Sequence, residues 1–249
     1  MSENWRKLQN ELATASNVGK ALHRTKATTQ KKKKADARNF PNKWKQQKER
    51  IIEAKKHVNQ EAVRTVDAID TLKKGKKFLL GLDCEYVGAG PDGKIDILAR
   101  VSIVDEEGNC VYDKYVAPTQ EVTDYRTDVS GVRASDLVKG IPFDNVRSEV
   151  SDIIQGNIVV GHALHNDFRV LQLNHPKSKI RDTSKYRLIQ KKCNVPGRSP
   201  SLKAIAQMLL GLSIQSGEHS SVEDAKVAMA AYRMFKNPWE QMVRQKYRE

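Results

Sequence analysis

The stretch Phe78-Leu79-Leu80-Gly81-Leu82-Asp83-Cys84-Glu85-Tyr86 decides how this chain is read, because a short apolar run passes without a break into two carboxylates. Five apolar or small residues in a row predict a buried β-strand. Side chains alternate along a strand, so Asp83 and Glu85 share one face while Cys84 and Tyr86 take the other. Two carboxylates about 4 Å apart repel by roughly 4 kcal/mol at an effective dielectric near 20. A cation relieves that repulsion. The plain alternative is a solvated strand end, where Asp-x-Glu is harmless, and these two residues alone leave both readings open.

Downstream, residues 97–104 and 110–116 read as two further strands, separated by the turn signals Gly90-Pro91-Asp92-Gly93 and Glu107-Gly108-Asn109. Three strands at this spacing predict an antiparallel meander. A helical stretch over 143–155, a strand over 158–160 and a helix from about Asp167 follow. Two more helices, over 202–210 and 222–235, complete the pattern, the last ended by Asn237-Pro238. A meander followed by alternating strands and helices predicts an α/β body, a mixed sheet flanked by helices over residues 78–249.

Upstream the composition changes. Residues 1–77 hold 21 Lys and Arg against 8 Asp and Glu, so +13 of the formal net charge of +14 lies there, and residues 78–249 contribute +1. Lys31 to Lys34 and the cluster Lys73, Lys74, Lys76, Lys77 carry much of it. Apolar residues from Ile51 to Leu72 recur at roughly helical spacing, which suggests a helix over 51–72 within an otherwise largely disordered basic extension. Such runs serve as solvated segments without a specific partner, as attractors of nucleic acid, or as nuclear import signals. The three cysteines, Cys84, Cys110 and Cys193, have no CxxC spacing, so reduced intracellular thiols are expected rather than a disulfide framework or a zinc site. No apolar run approaches the roughly 20 residues of a membrane span, and Met1 to Gln9 lack the apolar centre of a secretory signal, so no membrane partner is expected.

Two other carboxylates repeat the oddity of Asp83 and Glu85. Asp167 follows the strand 158–160 and the turn Gly161-His162-Ala163-Leu164-His165-Asn166, near a helix start where capping is an ordinary role for Asp. Asp224 lies in a helix whose Val222, Ala225, Val227, Ala228 and Ala231 face a core, with His219 five residues before it. Its ordinary role is a favourable charge in the first turn, with Ser220 or Ser221 as the cap. Together, four carboxylates and a histidine at the element boundaries of one sheet form a far more specific set. Oxygen donors without thiolates suit Mg²⁺ or Mn²⁺. Four negative charges balance two divalent cations, and a pair of ions about 3.5–4 Å apart stabilises both oxygens of an in-line phosphoryl displacement. The implied reaction is phosphodiester hydrolysis.

These residues resemble a known family. Asp83-Cys84-Glu85, Asp167 in His162-Ala163-Leu164-His165-Asn166-Asp167, and His219-Ser220-Ser221-Val222-Glu223-Asp224 are similar to the three motifs of the DEDD exonucleases, whose fold is ribonuclease H-like. The spacing of His219 and Asp224 is that of the DEDDh branch. More narrowly, Tyr112-Asp-Lys-Tyr-Val116, Thr123-Asp-Tyr-Arg-Thr127, Val129-Ser-Gly-Val132 and Ile180-Arg-Asp-Thr183 resemble the RNA exonuclease 4 group, as does Asn4-Trp5 followed by Lys7-Leu8-Gln9. The resemblance implies that Asp83, Glu85, Asp167 and Asp224 hold two Mg²⁺ or Mn²⁺ ions and that His219 is the general base, releasing 5′-mononucleotides from a 3′ end. Tyr86 stands where relatives often have methionine; on a regular strand it points away from Asp83 and Glu85, so its expected effect is on the nucleoside pocket rather than on the metals. Arg126 is a candidate contact to the terminal nucleotide, with an ion pair to Asp124 or Asp128 as the alternative. His162, His165 and His175 are assigned packing or hydrogen-bonding roles, and Asp182 a structural one.

The expected activity is therefore a divalent-metal-dependent 3′→5′ exoribonuclease acting on single-stranded 3′ ends. The resemblance adds precursors of ribosomal RNA as substrate and the nucleus, with the nucleolus, as location. Single-stranded DNA stays open as a substrate, because discrimination needs a contact to the 2′-OH. The competing reading is a nucleic-acid-binding factor of pre-ribosome assembly that retains the fold and works as a scaffold.

Overall fold

The computed structural model describes residues 78–215 and 217–247. The basic extension 1–77 and the helix expected over 51–72 lie outside the described residues.

The opening stretch forms β1 (Leu79–Ala89), which does not stop where the charges begin but runs on for 11 residues. Asp83 and Glu85 therefore sit in the middle of a strand and not at its end, which removes the alternative of a solvated strand end. β2 (Ile95–Val104) and β3 (Cys110–Tyr115) complete the expected meander, each antiparallel to its predecessor. β4 (Val122–Asp124) pairs with the far end of β1. Two short helices, α1 (Thr127–Ser130) and α2 (Ala134–Leu137), and the longer α3 (Phe143–Ile154) lead to β5 (Ile158–Gly161), which runs parallel to β1. After α4 (His165–Val170), β6 (Ile180–Asp182) pairs in parallel with β5, giving the order β3-β2-β1-β5-β6. The sheet is thus mixed, with β1 at its centre.

α5 (Arg187–Lys192), α6 (Leu202–Ile205) with a wider π-type turn over Ala206–Leu210, and α7 (Ser221–Met234) follow. α7 lies across β1, β2 and β5. Gly81 permits the approach: a Cβ there would come within 2.7 Å of Val104 Cγ2 and 3.0 Å of the Ala225 carbonyl. On β3, Tyr112 donates to Glu149 of α3 at 2.7 Å. Buried Val146, Val150 and Ile153 give α3 an apolar stripe at i, i+4 and i+7.

α7 ends at Met234, ahead of Asn237-Pro238 as expected, but the same dipeptide lies in the first turn of a final helix that was not expected, α8 (Lys236–Tyr247). A proline fits there because the first turn has no partner for its missing N–H. Arg181, almost fully buried on β6, fixes α8 through two bonds to Glu240, at 2.6 and 2.7 Å, and Tyr232 donates to the same carboxylate at 2.8 Å. Trp239 stacks on Tyr186 with ring centroids 3.9 Å apart. Among the described residues no helix is long and apolar enough to cross a membrane.

Candidate active site

β1 presents Asp83 opposite Ser102 and Glu85 opposite Arg100. Between Glu85 and Tyr86 the register slips, so that Tyr86 pairs with Leu98 and Ala99 is passed over. Such a bulge twists the strand locally and re-aims its side chains. Glu85 is buried, and its Oε1 has no hydrogen-bond partner.

Asp167 reaches the same place from α4. The β1–β5 ladder ends at Gly81 and Val160. Beyond it the Cys84 N–H donates to Asp167 Oδ1 at 2.9 Å, so this carboxylate serves the sheet and not its own helix end. The turn that aims α4 is held from β6. Ala163 is left-handed (φ 55°), and its N–H donates to Asp182 Oδ1 at 2.9 Å, where Ser184 Oγ also donates at 2.7 Å. Thr183 donates twice to the Gly161 carbonyl, both at 2.9 Å. This is the physical role of Asp182 that the sequence left unexplained.

The third element is α7. Asp224 is in its first turn, where Oδ2 accepts from Gln215 Nε2 at 2.7 Å and lies 3.9 Å from His219 Nδ1. His219 is held by its own N–H to the Val129 carbonyl at 3.0 Å. Gly131 (φ 66°) makes this possible, since a Cβ there would come within 2.8 Å of the His219 carbonyl. Ser221 does not cap with its hydroxyl; it shares a 2.7 Å bond with Ser102, which donates to Asp113. Asp113 in turn holds Arg100 by two 2.8 Å bonds.

The carboxylates interact as one group. Burial, followed by the charges of Asp167, Asp224 and Glu85, drives Asp83 well above the usual carboxylate range. Burial and then Asp224 push Glu85 up to about 8, against the pull of Arg100 and the Ser221 N–H. Burial raises Asp167 to about 7 against the Cys84 bonds, and burial raises Asp224 against its bond from Gln215 and the nearby His219. Among the described residues, no three His, Cys, Asp or Glu side chains close on a single point as a preformed cage. The four are near enough to raise one another's proton affinity. Hard oxygen donors, raised proton affinity on every member and an unpartnered buried Oε1 on Glu85 fit a divalent cation.

The other expected contacts are placed as follows. The bulge removes the regular alternation on which Tyr86 was expected to point away from Asp83 and Glu85. It is half-buried, and burial followed by the charges of Asp167, Asp96 and Asp83 raises its phenol, so its side chain lies within the field of the site. Arg126, left-handed at φ 49°, donates to Asp96 and to the Gly93 carbonyl, both at 2.7 Å. Its main ion pair is thus Asp96, across the β1–β2 hairpin, with Asp124 more distant at 3.9 Å. His162 bonds Thr183 at 2.9 Å and His175 stacks on Phe168, as the packing assignment expected. Arg100 and Gln215 were missed. Arg100 carried a signal, a charge inside the apolar run 97–104, whereas nothing local marks Gln215.

These shifts predict how the metal-free protein responds to pH. A carboxylate with a raised folded pKa binds its proton more tightly when folded, so its stabilising contribution is full below the unfolded value near 4.5 and is lost as pH rises through about 8. At roughly 1.4 kcal/mol per pH unit, holding Glu85 charged costs a few kcal/mol at pH 8. In chelator at pH 8, Glu85→Gln is expected to raise Tm by about 5 °C, and to leave it nearly unchanged at pH 4. Calorimetry at the two pH values checks this; a lower Tm at pH 8 contradicts it.

A mixed sheet with acidic residues from its central strand and from two flanking helices defines a ribonuclease H-like nuclease. The family model described as Exonuclease matches residues 80–232. The chain is 50% identical over 186 residues to RNA exonuclease 4 of Xenopus laevis, covering 74% of this chain and 44% of that protein. It is 37% identical over 261 residues to RNA exonuclease 4 of Candida glabrata, covering 99% of each. The chain therefore spans less than half of the frog relative and nearly all of the yeast one. Among solved structures, the Pan2 pseudoubiquitin hydrolase-RNA exonuclease module of Saccharomyces cerevisiae in complex with AAGGAA RNA is 31% identical with a TM-score of 0.59, covering 70% of this chain and 31% of that one. The chain belongs to the exonuclease family, in its RNA exonuclease 4 group.

Proposed function

We propose that the chain is a divalent-metal-dependent 3′→5′ exoribonuclease. Glu85 carries this reading: a buried, unpartnered carboxylate oxygen beside half-buried Asp83 and buried Asp167 and Asp224 needs a cation. Asp83, Glu85, Asp167 and Asp224 would hold Mg²⁺ or Mn²⁺. When bound, two such ions supply charge stabilisation to the attacking and leaving oxygens. His219 orients Nδ1 towards Asp224 and takes the proton of the attacking water at Nε2. The water oxygen bonds to phosphorus, the 3′ oxygen of the preceding nucleotide leaves, and a 5′-mononucleotide is released. Tyr86 and Arg126 border the space for the terminal nucleotide.

The names of the relatives favour RNA over DNA; the family resemblance supplies ribosomal RNA precursors as substrate and the nucleus, with the nucleolus, as location, and the Lys31 to Lys34 run agrees with nuclear import. The full chain with a 5′-labelled RNA 12-mer and Mg²⁺ is expected to give a ladder shortened one nucleotide at a time, with 5′-mononucleotide as product. Chelator should stop it, and a matched DNA strand reports the polymer preference. Tight RNA binding without metal-dependent release would favour the scaffold reading instead.

A further inference from the structure

A cavity of about 840 Å³ lies between α4 and α8. His165, Phe168 and Arg169 line it at the i, i+3, i+4 spacing of one helix face, while Asp167 turns from the other face to β1. Its floor is aromatic, built on the Tyr186–Trp239 stack and on Phe168 stacked with His175. Met242, 42% exposed, stands beside that floor. Its rim is cationic: Arg169, Lys177, Lys185 and Lys246 line it, all exposed. Among the described lining residues the sole carboxylate, Asp182, is buried and engaged with Ala163 and Ser184.

Arg169 connects this groove to the active site. Its guanidinium donates at 2.8 Å to Asp96, which also receives Arg126 at 2.7 Å, while Asp124 lies 3.9 Å from Arg126, so a chain of paired charges runs from the groove to the Arg126 side of the site. An apolar wall that surfaces at exposed Met242, rimmed by four exposed cations, matches a single strand, whose bases lie on apolar surface without sequence preference while its phosphates meet lysine and arginine.

We infer that this groove is a second RNA site, which takes the single-stranded segment upstream of the 3′ end held at Asp83 and Glu85. This inference rests on the exoribonuclease reading for its direction along the strand. Arg169, Lys177 and Lys246 meet phosphates, and bases lie against the apolar wall that exposed Met242 tops. Lys185 is left out of the test because it also pairs with Asp182 at 3.4 Å.

The full chain is tested in chelator, where binding is read apart from cleavage, with an RNA 12-mer by anisotropy over a salt series. Lys177→Gln with Lys246→Gln is expected to weaken binding about tenfold and to reduce the slope of log affinity against log salt by about 1.4, two single-strand phosphate contacts. Lys226→Gln, on α7 beside the Gly108 turn, is the control and should leave both unchanged. A 12-mer carrying photoreactive thiouridine upstream of its 3′ end should crosslink to residues 236–247. Unaltered affinity and slope in the double variant, or crosslinks confined to residues 1–77, overturn the inference and leave a protein segment as the occupant of the groove. Absence of metal-dependent cleavage by the unmodified chain overturns the exoribonuclease reading instead, and the two failures are thereby distinguished.

Discussion

Asp167→Asn is expected to lower turnover at saturating Mg²⁺ by at least about 10³-fold while the protein remains folded. Asparagine keeps an oxygen where Asp167 Oδ1 accepts the Cys84 N–H, so the brace between α4 and β1 survives the substitution. The turn before it is held independently by Asp182 and Thr183. What is lost is one of four negative charges. A loss of about 4 kcal/mol in transition-state stabilisation corresponds to three decades in rate, and metal-assisted charge stabilisation is worth several kcal/mol. Stability should move the other way: burial raises Asp167 to about 7, so the neutral side chain is the better resident of the metal-free site above that pH. Single-turnover kinetics with a 5′-labelled RNA, together with Tm in chelator at pH 8, separates this from unfolding. Turnover within tenfold of the unmodified chain would place the chemistry at another site.

The residues that misfit their surroundings were the legible ones. Asp83 and Glu85 announced themselves because they interrupt an apolar strand, and period-two alternation placed them on one face. Their charge also hid the strand's true length, since a carboxylate reads as an exit, whereas β1 continues to Ala89 with α7 packed over it and Asp167 closing its open edge. The meander was legible from its two glycine turns. β4 and β6, three residues each, are too short for any periodicity to register. α8 was concealed by Asn237-Pro238, which has the same local chemistry as a helix stop and as a helix start; the buried Arg181–Glu240 pair that settles it joins residues 59 positions apart. The bracing of Ala163 by Asp182 likewise spans 19 positions, and Gln215 meets Asp224 only once α7 has formed. Local pattern could therefore locate the acidic residues, but not the groups that aim them.

His219→Ala is expected to lower kcat by roughly 10²-fold or more with the metal requirement little changed, since it removes a proton acceptor and no carboxylate. The geometry singles out this side chain. It is partly open to solvent, with its ring 3.9 Å from Asp224, and its backbone is fixed by Val129 and the left-handed Gly131. Removing the imidazole thus leaves the loop anchored, and Asp224 keeps its bond from Gln215. Three readouts distinguish base from scaffold. The Mg²⁺ concentration for half-maximal rate should stay within a few-fold, because the four acids remain. The residual rate should climb about tenfold per pH unit as hydroxide takes over from the missing acceptor. His219→Asn, which can still hydrogen-bond but cannot take up the proton, should lose as much as the alanine variant. Asparagine restoring turnover would make His219 a positioning residue for Asp224, and unchanged kcat in His219→Ala would remove it from the reaction altogether.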